Sequence, residues 1–74
     1  MLVKFVMFRM GDNLRVLRES RDMSVSDLSF CSGLSVDAIR GYESGKSYLE
    51  MDVLLLLCVV LGVEPNDFFA GLYY

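Results

Sequence analysis

The sequence predicts a small all-α domain built from five short helices. After residue 10, apolar residues recur at helical spacing, as Leu14 and Leu17 do. Glycines 33, 45 and 62 stand where helices would end, and serine or aspartate stands where they would begin. The chain has 74 residues, 54% of them apolar, which is enough for one domain with a dense core.

Residues 1–10 (MLVKFVMFRM) form a separate N-terminal segment in this prediction, and residues 11–74 form the helical domain. The segment is rich in residues that favour strands, but a strand built from it would be apolar on both faces. An edge strand, a helical extension and an arm docked on a partner chain all fit. A short strand or extended arm is the preferred prediction.

The first predicted helix follows Asp12, a residue type that caps helix N-termini. Apolar residues at 10, 14 and 17 form its inward stripe. Three arginines lie on the solvated side: Arg15, Arg18 and Arg21.

The second predicted helix spans residues 25–32, with Leu28 pointing inward. Ser24 precedes it as an N-cap, and Asp27 stands three residues further on, where it can bond back to the Ser24 amide. This spacing is a capping box, which satisfies amides that have no partner inside the helix.

Gly33 follows at the position where a left-handed turn ends a helix, and Ser35 caps a third helix over residues 36–44. Ile39 points inward from this helix. Two short helices joined by a tight glycine-containing turn, here at residues 24–44, form a helix-turn-helix unit.

The fourth predicted helix spans residues 52–61 (DVLLLLCVVL) and ends at Gly62, and Pro65 opens a fifth over residues 66–71. The run is far too short to span a membrane, which needs about 20 apolar residues. Four residues form its inward stripe: Leu54, Leu57, Cys58 and Leu61.

The remaining sides of this fourth helix are also apolar, and such a helix must be buried all round. A chain of this length has too little material to cover it, so we expect a homodimer or a complex with another protein. The predicted dimer interface comprises Leu55, Leu56, Val59, Phe69, Leu72 and Tyr73.

Seven Lys/Arg and ten Asp/Glu give a net charge of -3, which is unusual for a nucleic-acid binder. Five of the basic residues lie in the first 21 positions, and the other two are Arg40 and Lys46. The chain therefore has a basic front that could hold phosphates and an acidic, apolar back.

The chain has no histidine, and its two cysteines, Cys31 and Cys58, have no CxxC spacing, so a zinc site is not expected. We expect two buried or half-buried thiols in the cytoplasm, although a disulfide also fits. No constellation of catalytic residues is present, and neither an enzyme nor a cofactor is predicted.

The segments LRVLR (14–18), YESGK (42–46) and LGVEPNDFF (61–69) resemble the Cro/Xre-type helix-turn-helix regulators, without gaps over about residues 11–69. The resemblance implies a compact five-helix, lambda-repressor-like DNA-binding domain, usually dimeric, that controls transcription. It also implies that Arg18 pairs with Glu43 and ties the first helix to the recognition helix.

The same resemblance assigns seven positions to double-stranded DNA. Phosphate contact falls to the amides near Val25 and to Ser44 and Lys46, and entry into the major groove to Val36, Asp37, Arg40 and Gly41. Relatives usually carry polar or basic side chains where this chain has valine, aspartate and glycine. Arg40 is the one side chain here that can make a bidentate guanine contact, worth about 1–3 kcal/mol of discrimination.

Two functions follow from these residues. The first is a cytoplasmic, homodimeric, sequence-specific DNA-binding regulator of the repressor type. The second keeps the fold but binds a protein, as an antirepressor, an antitoxin or an inhibitor of a nucleic-acid enzyme. The net charge of -3 and the apolar fourth helix favour the second, and the charge segregation favours the first.

Overall fold

The computed structural model describes residues 2–72, and within that range the protein is all-α, with no strand. Its elements are α1 (Leu2–Glu19), α2 (Val25–Ser32), α3 (Val36–Ser44), α4 (Met51–Leu61) and a C-terminal 3-10 helix (Pro65–Phe69). The predicted fold class is confirmed. The helix count differs slightly, because the fifth predicted helix is a single stretch of 3-10 turns.

Helix α1 begins at Leu2, so the strand or extended arm predicted for the N-terminal segment is wrong for residues 2–10. Val6 and Met10 continue the inward stripe of Leu14 by one residue per turn and pack with it against the core. This burial outweighs the intrinsic strand preference of the segment. Asp12 consequently lies inside the helix and does not cap it.

The predicted caps of α2 are present. The Ser24 hydroxyl accepts a hydrogen bond from the Asp27 N–H at 3.0 Å, and the Asp27 carboxylate accepts one from the Ser24 N–H at 2.9 Å. These contacts with Ser24 lower the pKa of Asp27. Gly33 then adopts the left-handed conformation, with φ of 79°, and ends the helix as expected.

One core joins all five elements. Leu14 of α1, Leu28 of α2, Ile39 of α3, Leu57 of α4 and Phe68 of the 3-10 helix are fully buried. The inward stripe predicted for the fourth helix is confirmed in full. The fold therefore holds α3 against a close-packed interior, which fixes the direction of its outer face.

Two glycines let α1 pass close to the C-terminal half of α3. A side chain at Gly11 would collide with the backbone carbonyl of Tyr42, and one at Gly45 would come within 3.0 Å of the Phe8 Cα. Neither approach leaves room for a methyl group. The two helices are therefore in backbone contact, and α1 is set rigidly beside the end of α3.

The two thiols have different surroundings. Cys58 is buried in α4, and burial raises the pKa of its thiol, while Cys31 on α2 is exposed. Both are free, and the expectation of two covered thiols is wrong for Cys31, because α2 buries only Leu28. Within residues 2–72, no helix is long and apolar enough to cross a membrane, and no group of three or more potential ligands could hold a metal ion.

Candidate nucleic-acid interface

The outer face of α3 and the loop that follows it border a shallow, open depression. Five residues line it, all of them among the seven predicted to contact DNA: Asp37, Arg40, Gly41, Ser44 and Lys46. The two remaining residues, Val25 and Val36, are half-buried in the first turns of α2 and α3 and do not line it. The fold thus gathers most of the predicted site on one surface.

The predicted pair of Arg18 and Glu43 is confirmed, and it supports this surface from behind. Arg18 donates from Nε to Oε2 at 2.7 Å and from Nη2 to Oε1 at 3.0 Å, and its Nη1 donates to the Met23 carbonyl at 2.7 Å. Both side chains are only 10% exposed. The hydrogen bond with Glu43 raises the pKa of Arg18, although burial opposes the shift.

Gly41 has a structural task that the sequence did not reveal. Its carbonyl accepts hydrogen bonds from the N–H groups of Lys46 at 3.0 Å and Ser47 at 3.1 Å, so the loop folds back over α3. A side chain at Gly41 would come within 2.6 Å of the Ser47 hydroxyl. The glycine therefore admits the loop that places Lys46 beside the depression.

Asp37, the acidic residue in the depression, lies in the first turn of α3 behind the Ser35 cap. The Ser35 hydroxyl accepts a hydrogen bond from the Ala38 N–H at 3.0 Å. A carboxylate at this end of a helix interacts favourably with the helix dipole. Asp37 thus has a stabilising role in the helix that is independent of any ligand.

Four arginines of the basic front have intramolecular partners. Arg15 contacts Asp12 and Glu19, and Arg18 contacts Glu43. Arg9 donates to the Ala70 carbonyl and Arg21 to the Leu61 carbonyl. Across residues 2–72, the three cationic side chains that have neither an ion pair nor a hydrogen bond within the chain are Lys4, Arg40 and Lys46.

A comparison with protein families shows the family to which the chain belongs. A model of the Cro/C1-type HTH DNA-binding domain matches residues 13–70, which contain α2, α3, α4 and the 3-10 helix. The chain belongs to this family. The match begins within α1, so the first turns of that helix precede it.

The Cro/C1-type domain is also similar to a solved structure, the crystal structure of the restriction-modification controller protein C.AhdI from Aeromonas hydrophila. The TM-score is 0.81 at 32% sequence identity, and the similarity covers 85% of this chain and 96% of that chain. A search of curated proteins found no match. The structural similarity extends over most of the domain and agrees with the family match.

Helix α4 gives the Cro/C1-type domain an exposed apolar surface. Leu55, Leu56 and Val59 are 47%, 38% and 81% exposed, and Val59 follows the two leucines at i+4 and i+3, so its side chain neighbours both. Phe69 and Leu72 are half-buried against the domain's own core. The last residue of the predicted interface, Tyr73, lies outside the described residues.

Proposed function

We propose that this Cro/C1-type domain is a cytoplasmic, sequence-specific DNA-binding regulator of transcription that acts as a homodimer with repressor-like effect. One observation carries the proposal: Arg40 is exposed on the outer face of α3 and has no partner within residues 2–72, while Lys46 borders the same depression. C.AhdI is a restriction-modification controller protein, which supports a regulatory role here.

Arg40 reads sequence in this proposal. Its guanidinium can donate to both O6 and N7 of a guanine, which discriminates against other bases by about 1–3 kcal/mol. Val36 contributes at most an apolar contact with a thymine methyl, and Asp37 can accept from a cytosine amino group but is repelled by phosphates. Because direct reading is limited, DNA shape and deformability supply much of the remaining specificity.

Lys46 and Ser44 hold phosphates and place α3 in the groove. The first amides of α2, near Val25, have no acceptor within their own helix and contribute a further phosphate contact. These contacts give affinity without sequence preference, and the affinity therefore falls as salt rises.

A homodimer places two copies of α3 in successive major grooves, about 34 Å apart, on a pseudo-palindromic site. The exposed side chains of α4, namely Leu55, Leu56 and Val59, form the centre of the proposed interface. An exposed apolar surface of this kind is typical of an interaction site. Phe69 and Leu72 are the other described residues of the proposed interface.

Protein binding without DNA binding, as in an antirepressor, antitoxin or enzyme inhibitor, is the second candidate. Two observations favour it: the acidic residue Asp37 lines the same depression as Arg40, and α4 is broadly apolar. In that case the surface of α4 receives a different protein rather than a second copy of the chain.

Titration of the protein into mixed genomic DNA at two salt concentrations tests the proposal. We expect steep weakening at the higher salt. Arg40→Ala should lose sequence preference, and Lys46→Ala should weaken all sequences equally. Arg40→Lys is the matched control, because it keeps the charge but cannot make the bidentate contact.

If Arg40→Lys loses sequence preference but keeps its affinity for mixed DNA, the role of Arg40 is to read bases and not merely to bind phosphates. If the unmutated protein shows no binding even at low salt, the regulator proposal is wrong and the protein-binding candidate replaces it.

A further inference from the structure

A second depression adjoins the one beside α3. It lies between the first turns of α1 and the end of α3, and it is lined by Lys4, Phe5, Met7, Phe8, Ser44, Gly45 and Lys46. Ser44 and Lys46 border both depressions. The two depressions therefore form one continuous surface that runs from Arg40 past Lys46 to Lys4.

The relative positions along this surface are fixed by backbone packing. At Gly45, whose φ of 78° is left-handed, the chain lies against the backbone of Phe8. One turn further along α1, Gly11 lies against the carbonyl of Tyr42. Because neither contact passes through a flexible side chain, Lys4 is carried on a helix that cannot shift far from Lys46.

The charge of this surface differs from that of the whole chain. It carries the three cationic side chains that have no partner within residues 2–72, Lys4, Arg40 and Lys46. The one acidic side chain that lines either depression is Asp37, which lines the depression beside α3 and not the one that Lys4 lines. A cleft with one sign of charge and apolar walls, such as those of Phe5 and Phe8, concentrates its electric field.

From this continuity we infer that Lys4 is an additional phosphate-binding residue, and that the first turns of α1 extend the DNA interface beyond α3. The inference rests on the proposed function. The phosphates bound by Lys4 would flank those held by Lys46. Lys4 precedes residues 13–70, so it lies outside the part of the chain that matches the family model.

The salt dependence of binding to a mixed-sequence duplex tests this inference, with Lys4→Ala and Lys4→Arg compared with the unmutated protein. Each phosphate contact contributes a slope of about 0.9 to the plot of log affinity against log salt. We expect Lys4→Ala to lower that slope by about one contact and to weaken all sequences to a similar degree. Lys4→Arg, the matched control, should retain the slope.

Loss of the fold does not complicate the result, because Lys4 is exposed and alanine has a higher helix propensity than lysine. If Lys46→Ala lowers the slope but Lys4→Ala does not, the inference is wrong while the proposed function stands. If the unmutated protein does not bind the duplex at all, both fail.

Discussion

The carboxylate of Glu43 on α3 receives two parallel hydrogen bonds from the guanidinium of Arg18 on α1, at 2.7 and 3.0 Å. Both side chains are largely withdrawn from solvent, and a third donor of Arg18 is occupied by the Met23 carbonyl. The pair joins the first helix to the inner side of the proposed recognition helix. The pair holds α3 against α1, and its atoms are not available to a ligand.

Removal of Glu43 should therefore destabilise the fold strongly. Glu43→Ala leaves the Arg18 guanidinium buried without its partner, and we expect a loss of about 3 kcal/mol in the free energy of unfolding. Urea denaturation measures this loss. Glu19→Ala is the control, because Glu19 on α1 is exposed and pairs with Arg15, and its contact with Arg18 is long, at 3.9 Å, so its removal should cost far less. Equal losses in the two variants would contradict a structural role for the buried pair.

Gly11→Ala should destabilise the protein although alanine normally favours a helix. The gain in helix propensity is about 1 kcal/mol, but the added methyl group would meet the Tyr42 carbonyl, which cannot move without separating α1 from α3. We expect a net loss of about 2 kcal/mol by thermal or urea unfolding.

Gly41→Ala is the matched control for this change. Its methyl group would meet only the Ser47 side chain, 2.6 Å from the hydroxyl and 3.3 Å from Cβ, and no backbone atom, so the loss should be smaller than that of Gly11→Ala. If Gly11→Ala were as stable as the unmutated protein, the backbone contact between α1 and α3 would be looser than described.

Substitution of Val59 tests the dimer. Val59 is 81% exposed, so Val59→Glu should leave the stability of one subunit nearly unchanged and place a charge in the proposed interface. We expect the sedimentation mass to fall from that of a dimer to that of a monomer. Leu56→Glu should act in the same direction, with monomers or insoluble protein as its result.

Val16→Glu is the control for the dimer experiment, since Val16 is an exposed apolar residue of α1 outside the proposed interface. It should leave the mass of the dimer unchanged. A monomeric mass for the unmutated protein would show that the surface of α4 does not join two copies.

The capping box of α2 should make stability depend on pH through Asp27. Contacts with Ser24 lower the pKa of Asp27, so the ionised carboxylate stabilises the folded state. This contribution is fully present above the unfolded-state pKa of about 4, and it is lost as the pH falls through the lower folded-state pKa. At neutral pH the free energy of unfolding of Asp27→Asn should therefore be lower than that of the unmutated protein. In acid, where Asp27 is protonated, the two free energies should become equal. A difference that persisted unchanged in acid would contradict this account.

The sequence was sufficient for the helix ends of α2 and α3 and for the inward face of α4. Ser24, Ser35 and Gly33 predicted helix ends because their effects require only neighbouring amides and carbonyls. The inward stripe of α4 followed from helical spacing, since burial repeats with the period of the helix. The DNA-contacting residues predicted on α3, such as Asp37, Arg40 and Gly41, came instead from the resemblance to Cro/Xre-type regulators.

For the first ten residues, prediction from local sequence preference fails. Their composition favours a strand, but Val6 and Met10 find a core to bury against only if α1 continues back to Leu2. That core is formed by residues far along the chain, such as Phe68. Propensity is a weak effect beside such burial, so the strand prediction failed.

Whether each lysine or arginine side chain is free to bind a ligand also depended on contacts between residues distant in sequence. Arg9 and Arg21 look like free surface charges in the sequence, but their partners, Ala70 and Leu61, lie at the other end of the chain. Lys4 and Lys46 are distant in sequence and meet at one depression because two glycines let α1 and α3 touch. Spacing along the chain determines helices and their faces. Which charges remain for a ligand is settled only when the helices pack, because pairing depends on distance in space.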